Sequence, residues 1–438
     1  MKHIIVAAIV VMPALAQGGQ PDVLSTLTLD EAVRRGLQAS PRLAESAARG
    51  EAAAAAADQR HAGMLPQVAA QAGYARTNHV DEFGVPLPNN QLRIIYPDLP
   101  DNYRARLDLQ WPLYTGGRLE AIERAARIEA AASSSDLEAA RTDLRLEITR
   151  AYWTLVTAGE SLRVVDESLE RTRAHLQDAR NRLDAGLIPP NEVLTAEAQE
   201  SRQRMFSIQA RANRDVAEAE LGRLIGASPG TRIQPDARLE PPAPEPATFE
   251  ALVAAARQNR RDRAALVERV GAARERETAA GAGAKPTVGV GGGYDYARPN
   301  PRIFPREEAW RGSWDASVNV NWPLFDGGRA RAETAEAAAS GRALQARLAE
   351  FDALLDVEVR RQLNDLEASR AVIAAAADGV RAAAEARRVA TERFAAGVAT
   401  STDVLDAQVA LLQAELDRTQ AIANARLAEA RLNRAVGR

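Results

Sequence analysis

The segment WPLYTGGR at residues 111–118 recurs 211 positions later as WPLFDGGR at residues 322–329. The same spacing separates Gly186, in the segment RLDAG, from Gly397, in the segment RFAAG. The chain is therefore a duplicated unit, and two copies are too few for a solenoid array. A Pro-rich segment over residues 228–247 separates the copies and predicts an extended linker.

The composition argues against several classes of protein. The 438-residue chain has 56 Lys and Arg against 59 Asp and Glu, with both signs interleaved, so we expect no nucleic-acid partner. It has no cysteine, and its four histidines are scattered without metal-ligand spacing, so we expect no metal site and no cofactor. Recognisable catalytic motifs are absent, which argues against an enzyme. Only 4% of the residues are aromatic, which favours long, closely packed helices over several compact cores.

The first residues of the chain predict export. Residues 1–16 combine a basic start, a short apolar core and a final Ala-Leu-Ala, as in a secretory signal peptide cleaved after Ala16. No later stretch approaches eighteen uncharged apolar residues, so we expect no transmembrane helix. An exported chain of this kind is either soluble or crosses a membrane as a β-barrel.

Each copy contains two segments in which apolar and polar residues alternate. The pattern is clearest over Tyr103–Leu113 and Trp314–Leu324, and weaker partner strands precede both, so we expect β-hairpins at residues 65–113 and 285–324. Strands of about eleven residues with aromatic residues at the ends of the apolar face are typical of bilayer-spanning barrels. The alternative is a soluble β-sandwich with one wet face.

After each Gly-Gly pair the apolar period changes to about 3.5, as in a coiled coil. The apolar residues stand seven apart at Ile148, Leu155, Leu162, Leu169, Leu176 and Leu183, and the second copy keeps this seam except at Arg387. This pattern predicts long helices over residues 116–184 and 327–396, each about 100 Å long. A glycine ends each long helix, and returning helices follow over residues 191–226 and 402–436.

The predicted organisation is thus two repeats, at residues 17–227 and 248–438, that flank the linker. Each repeat consists of a helix, a β-hairpin, a long helix and a returning helix. Four membrane strands cannot close a water-filled barrel, and open sheet edges in lipid leave backbone groups unpaired. Three chains would supply twelve strands and a lumen, whereas two chains would give a barrel too narrow for a conduit.

These features resemble the TolC-like outer-membrane efflux channel family over nearly the whole mature chain. The resemblance implies a mainly α-helical homotrimer with a twelve-stranded transmembrane β-barrel that continues into a long α-helical coiled-coil periplasmic tunnel. It further implies the outer membrane of a Gram-negative bacterium, contact with outer-membrane lipid, and a large periplasmic portion. The expected function is the passive exit duct of a tripartite efflux pump or type I secretion system, working with a periplasmic adaptor protein and an inner-membrane pump. The alternative is a non-conducting periplasmic coiled-coil scaffold or adaptor.

The resemblance also assigns a pore gate to Asp403 and Asp406. These residues lie three apart on one helix face, so a three-fold axis would gather about six carboxylates at one constriction. Such a ring selects cations. Alternatively, both carboxylates only stabilise the first turn of a helix that is capped by Ser401 or Thr402, through their interaction with the helix dipole.

Three further groups of positions are expected to matter. The resemblance places adaptor contacts at the helix-hairpin tips, although plain interhelical turns would also account for the glycines; these positions are Gly186, Leu187, Gly397 and Val398. The membrane interface and the bend from strand to helix are expected at Trp111, Gly116, Gly117, Trp322, Gly327 and Gly328. Where the family often has an arginine and a tyrosine near the second tip, this chain has Ala399 and Phe394, so polar latches between helices are expected to be weaker or placed elsewhere.

Overall fold

The computed structural model describes residues 24–89, 91–243 and 248–438. The expected signal peptide at residues 1–16 lies outside these residues, and so do positions 244–247 of the expected linker. The chain divides into two compact units. The first unit contains the described residues up to Pro41, Arg141–Leu252 and Glu358–Arg438, and the second contains Arg42–Ala140 and Val253–Val357. Each unit therefore takes segments from both sequence repeats.

The described chain is mostly helical. Its helices are α1 (Leu29–Ala39), α2 (Pro41–Ala62), α3 (Arg118–Asp184), α4 (Pro190–Leu224), α5 (Phe249–Asn259), α6 (Arg261–Gly281), α7 (Arg329–Ala395) and α8 (Ser401–Ala435). The strands are β1 (Leu24–Leu27), β2 (Gln67–Arg76), β3 (Phe83–Pro86), β4 (Leu92–Tyr96), β5 (Asp101–Tyr114), β6 (Ile233–Pro235), β7 (Thr287–Arg298) and β8 (Arg311–Asn321). The long and returning helices begin and end within two residues of the predicted positions, and two helices rather than one precede each pair of long strands. Among the described residues, none of the helices is both long and apolar enough to cross a membrane.

The second unit contains a four-stranded antiparallel sheet in the order β2-β5-β7-β8. Its central contact joins the two repeats, because β5 belongs to the first copy and β7 to the second. Within the described chain, β2 and β8 each pair with one neighbour only, so they form the two edges of the sheet. A shorter hairpin, β3–β4, lies in the chain between β2 and β5 and was not predicted from the sequence.

The register of the sheet separates its two faces. Leu107 of β5 lies opposite Ala70 of β2 and Tyr294 of β7, and Tyr294 lies opposite Trp314 of β8. Since side chains alternate along a strand, this register places the apolar positions of all four strands on one face. Large exposed members of this face include Val68, Tyr74, Leu107, Leu109, Tyr294, Trp314, Val318 and Val320. Aromatic side chains cluster at one end of the sheet and comprise Tyr74, Tyr103, Tyr296 and Trp310.

The opposite face of the sheet carries an ion-pair network. Arg106 of β5 bonds Asp108 on its own strand (2.5 Å), Asp295 on β7 and Asp315 on β8 (3.1 Å). Arg104 bonds Asp295 (2.5 Å). In addition, Arg302 bonds Asp315 (2.8 Å). The network thus consists of three guanidinium groups and three carboxylates that span three strands.

A glycine makes room for this network. A Cβ atom at Gly293 of β7 would lie 2.7 Å from Cζ of Arg106 and 3.0 Å from the backbone oxygen of Leu107. The missing side chain therefore lets the Arg106 guanidinium lie across β7 and reach Asp315 on the next strand. Gly289, on the same face of the same strand, differs, because a Cβ atom there would meet nothing closer than 3.6 Å.

The end of β8 differs from the prediction. We expected Trp322 and Leu324 inside this strand, but β8 ends at Asn321. Pro323, two residues after Asn321, has no N–H group to donate to a β-ladder, and the strand ends before it. In the first copy Pro112 lies within β5, at a register shift in the pairing with β7.

The first unit is packed around the helices. Near the hairpin turns, α3, α4 and α8 share a core of Leu176, Ala179, Val193, Ala196 and Leu405. Farther along, Tyr152 of α3 is fully buried, and its hydroxyl donates to the backbone oxygen of Leu27 (3.0 Å) and accepts from the backbone N–H of Ala237 (3.3 Å). The segment expected to be only an extended linker contains β6, which pairs in parallel with β1, and Ile233 of β6 is buried.

The predicted apolar seam is buried unevenly. In α3 the side chains of Ile148, Leu155, Leu169 and Leu176 are buried. The corresponding seam of α7 is buried at Val359, Leu366 and Phe394, but Ile373 and Val380 are only half-buried, as is Arg387. The middle of α7 therefore buries less apolar surface within this chain than the matching part of α3.

The Gly293→Ala substitution tests the packing of the sheet. The new methyl group would displace the Arg106 guanidinium, so we expect the free energy of unfolding to fall by about 1–3 kcal/mol. Gly289→Ala is the matched control, because its methyl group has room, and it should have a much smaller effect. Thermal unfolding of the detergent-solubilised protein measures both variants. Equal melting temperatures for the two variants would contradict this role of Gly293.

Candidate functional site

The two helix-hairpin tips in the first unit have the same backbone geometry. At the end of α3, the N–H of Gly186 donates to the oxygen of Leu183 (2.8 Å) and the N–H of Leu187 donates to that of Arg182 (2.8 Å). At the end of α7, Gly397 and Val398 make the equivalent bonds (3.0 and 2.9 Å). These are Schellman caps, and the φ angles of +71° and +76° explain the two glycines.

Side chains at both tips point into solvent. Leu187 is 70% exposed and Val398 is 63% exposed. A Cβ atom at Gly186 or Gly397 would meet nothing within 4 Å, so both tips are open around the glycine. Each tip therefore presents one exposed apolar side chain next to a glycine.

The second tip leads directly into the helix that carries the two aspartates. The Thr400 hydroxyl accepts from the N–H of Asp403 (3.3 Å), and the Asp403 carboxylate accepts from the N–H of Thr400 (2.8 Å), so the pair forms a capping box. Hydrogen bonds from the backbone and the side chain of Thr400 hold the pKa of Asp403 below its usual value. The capping residue is thus Thr400, not Ser401 or Thr402 as expected.

Within one chain, Asp403 and Asp406 lie one turn apart and are both exposed. Asp403 takes part in the capping box, and this agrees with the alternative that we kept open for this residue. Asp406 lies beyond the capping box. The two carboxylates therefore differ in their local roles, although both contribute negative charge to the same exposed stretch of α8.

The first tip is capped differently. Pro189 occupies the N-cap position of α4 and provides no side-chain hydrogen bond. Glu192, in the first turn of α4, instead extends to the second tip, where its carboxylate accepts from the backbone N–H of Ser401 (3.2 Å). The two tips of one chain are therefore linked by the side chain of Glu192, the first-copy counterpart of Asp403, in a contact that the sequence did not predict.

A buried histidine lies close to this link. His175 of α3 is 7% exposed, and its Nε2 lies 2.7 Å from the hydroxyl oxygen of Ser401. Its ring packs against Phe394 of α7, with 5.1 Å between the centroids. Arg182 of α3 covers the same phenyl ring at 4.7 Å and donates to the backbone oxygen of Phe394 (3.3 Å). Near this tip we expected the polar latches between helices to be weaker or placed elsewhere. Phe394 and His175 lie there and pack against each other.

The bends between strand and helix in the second unit share one arrangement. Both glycines of each pair have positive φ angles, between +67° and +86°; these glycines are Gly116, Gly117, Gly327 and Gly328. One of the two positions at which the copies of the motif differ, Thr115 in the first and Asp326 in the second, bonds the first turn of the helix that follows. Backbone hydrogen bonds from Ala330 and Gly328 lower the pKa of Asp326. Trp111 and Trp322 are exposed at these bends, and the indole of Trp111 donates to the backbone oxygen of Met64 (3.2 Å).

The ion-pair network of the sheet was visible in the sequence only in part. The alternation of β5 identified Arg104, Arg106 and Asp108 as one polar face. Their partners Asp295 and Asp315 became evident only through the register of β7 and β8. The alternating glycines of β7 were the available signal, because small residues on a polar face leave space for long side chains. Within the described residues, no group of three or more His, Cys, Asp or Glu side chains is arranged to hold a metal ion.

Comparisons with known proteins agree with this geometry. Residues 32–227 and 252–438 match the model of a family described as "Outer membrane efflux protein". The chain is 29% identical to the protein CyaE of Bordetella pertussis, over 88% of this chain and 79% of that protein. It is 24% identical to the outer membrane protein TolC of Vibrio cholerae, over 93% of this chain and 90% of that protein.

Solved structures show the same fold. The outer membrane protein VceC of Vibrio cholerae superposes with a TM-score of 0.77 at 21% identity, covering 93% of this chain and 96% of that one. The open state of the MtrE outer membrane channel of Neisseria gonorrhoeae superposes with a TM-score of 0.76 at 18% identity, covering 93% and 88%. The resemblance drawn from the duplicated motif is thereby confirmed.

Substitution of the two aspartates separates the capping role from the charge. Asp403→Ala removes the acceptor of the capping box, so we expect the free energy of unfolding to fall by about 0.5–2 kcal/mol. Asp406→Ala removes the same charge from the same helix outside the capping box and should have a smaller effect. Chemical denaturation followed by circular dichroism measures both. If both variants lose the same stability, the capping box does not stabilise α8.

Proposed function

Since the chain belongs to the outer membrane efflux protein family, we propose that it is an outer-membrane channel that serves as the exit duct of a tripartite efflux pump or type I secretion system. It conducts its cargo passively across the periplasm and the outer membrane of a Gram-negative bacterium, with neither catalysis nor a cofactor. The energy comes from an inner-membrane pump.

One observation carries this proposal: a four-stranded antiparallel sheet has a continuous apolar face and two edges that pair with no further strand among the described residues. In a bilayer the apolar face contacts lipid, but the N–H and C=O groups of β2 and β8 need partners. The strand order makes β2 and β8 run in opposite directions, so β8 of one copy can pair with β2 of the next in an all-antiparallel barrel. The sheet is therefore suited to closure by further copies of itself.

Three copies would supply the twelve strands of a conducting barrel. Two copies would give an eight-stranded barrel, and side chains fill the lumen of a barrel of that size. Aromatic residues occur at both ends of the apolar face, as expected at the two lipid–water interfaces. At one end these are Tyr74, Tyr103, Tyr296 and Trp310, and at the other they are Trp111 and Trp322.

In such a barrel, the polar face lines the lumen. Its arginines and aspartates are paired with one another, which leaves this part of the wall with little net charge. A wall of this kind favours neither cations nor anions strongly. We therefore assign ion selectivity to a different part of the chain, the exposed stretch of α8 that carries Asp403 and Asp406.

We assign the pore gate to Asp403 and Asp406 in this stretch of α8. Both carboxylates are exposed within one chain, and a three-fold axis would gather about six of them. Hydrogen bonds from Thr400 favour the ionised form of Asp403, so that its charge persists at neutral pH. A ring of carboxylates attracts cations into the constriction.

We assign the partner contacts to the two tips. Leu187 and Val398 are exposed apolar side chains, and the glycines beside them leave room for an approaching backbone. A periplasmic adaptor protein that ends in a helical hairpin could pack against such tips. Through this adaptor the channel would connect to the inner-membrane pump.

Planar-bilayer recording of the detergent-purified oligomer tests the proposal. We expect stable conductance steps, because a closed barrel holds a continuous aqueous path. In membrane fractionation, the protein should resist extraction by high salt and require detergent, since its apolar face contacts lipid. Release by salt together with electrically silent oligomers would instead support the alternative, a periplasmic coiled-coil scaffold or adaptor.

Substitution of Asp406 tests the gate. Asp406→Asn removes about half of the carboxylates of the proposed ring, and the capping box remains intact. We expect cation selectivity to fall by severalfold at low salt, measured as the reversal potential under a KCl gradient. Asp417→Asn, farther along α8, is the matched control and should keep the selectivity of the wild type. An unchanged reversal potential for Asp406→Asn would exclude this residue from the gate.

A further inference from the structure

The start of α8 is held by groups from two other helices of the first unit. Ser401, the first residue of α8, is completely buried. Its backbone N–H donates to Glu192 of α4 (3.2 Å), and its hydroxyl lies 2.7 Å from Nε2 of His175 on α3. Asp403, which belongs to the proposed gate, follows two residues later and closes the capping box with Thr400. The position of the gate carboxylates therefore depends on contacts of Ser401.

We propose that His175 is a positioning residue of the gate: its neutral form ties the start of α8 to α3, and its protonation releases α8 with Asp403 and Asp406 and raises the conductance. This inference rests on the proposed channel function. It differs from the gate assignment because His175 carries no charge in the closed state, defined as the state in which it holds α8, and lies outside the carboxylate ring.

The surroundings of His175 already include the positive charge of Arg182, and they disfavour protonation of the histidine ring. Burial lowers the pKa of His175, and the guanidinium of Arg182 lowers it further. The carboxylates of Asp178 and Glu192 have the opposite effect and raise this pKa. The side chains that pack on the ring from α7 and α8 are Phe394 and Ser401, and both are uncharged. Phe394 already holds the guanidinium of Arg182 on its ring, so it offers little to a further cation.

The helix terminus adds to this effect. Ser401 occupies the N-terminus of α8, where the backbone N–H groups that have no acceptor within the helix create a partial positive charge. A neutral imidazole can share a hydrogen bond with the Ser401 hydroxyl at no electrostatic cost. An imidazolium at the same place faces both the helix terminus and Arg182. Protonation therefore weakens the contact between α3 and α8 at the gate.

The direction of the pH dependence follows from the lowered pKa. The contribution of neutral His175 to the closed state is complete above about pH 6.5, the pKa of an exposed histidine. It is lost as the pH falls through the lower pKa of the buried ring. Asp403 does not account for a response in this range, because its own pKa is lowered from an already acidic value.

Bilayer recordings of the full-length oligomer between about pH 7.5 and about pH 5 test the inference. We expect the wild-type open probability to rise as the pH falls. For each pH unit by which burial lowers the pKa of His175, the open probability rises by at most about tenfold per chain. His175→Gln keeps a hydrogen-bonding group beside Ser401 and cannot be protonated in this range. Its open probability should stay low and independent of pH.

Two further variants complete the experiment. Ser401→Ala removes the contact and leaves the histidine in place, so it should show a raised open probability already at about pH 7.5 and a weaker response to acid. His79→Gln is the matched control, because His79 is exposed and bonds Asp98 in the second unit (2.6 Å). This control should keep the wild-type pH profile.

The outcomes separate this inference from the channel function. If the wild type conducts but His175→Gln keeps the wild-type acid response, His175 does not position the gate and the channel function is unaffected. A Ser401→Ala variant that behaves as the wild type would overturn the inference as well, even if His175→Gln failed to fold. Absence of conductance in every variant at every pH would overturn both the channel function and the role of His175.

Discussion

The antiparallel pairing of β5 with β7 is the contact on which the four-stranded sheet depends. It joins the first sequence repeat to the second and completes one sheet from two hairpins. A shift of one residue in this register would turn every side chain of one hairpin to the wrong face. The observed register instead places the apolar positions of all four strands together, which is the condition for contact with lipid on one face and with water on the other.

The same register determines where the charges of the sheet go. Arg106 comes from the first repeat, and its partners Asp295 and Asp315 come from the second. The guanidinium reaches across a whole strand because Gly293 has no side chain in its path. Because these charged groups are paired with one another, the polar face of the sheet carries little net charge here. The duplication of the chain thus supplied complementary halves of one network rather than two copies of the same one.

At the helix-hairpin tips, the two repeats share their backbone and differ in their side chains. Both long helices end in a Schellman cap around a glycine, because the last carbonyl groups of a helix need donors. The second tip then begins its returning helix with a capping box, whereas the first begins with Pro189 and Pro190 and leaves Glu192 able to bond the other tip. This asymmetry gathers the aspartates, the buried histidine and the link between the tips around the start of α8.

The sequence by itself determined the duplication, the helix lengths, the alternation of the long strands and the glycine positions at the bends and tips. These features depend on the local period of apolar residues and on backbone conformations that glycine adopts readily, and both can be read along one stretch of chain. The sequence analysis missed the end of β8 before Pro323, the additional β3–β4 hairpin and the β6 strand inside the expected linker.

Only the tertiary structure decided that Arg106 meets Asp315, that Glu192 bonds Ser401, and that His175 lies against the start of α8. Such partners come from distant parts of the chain, and their contacts depend on strand register and helix packing, which no local pattern of residues specifies.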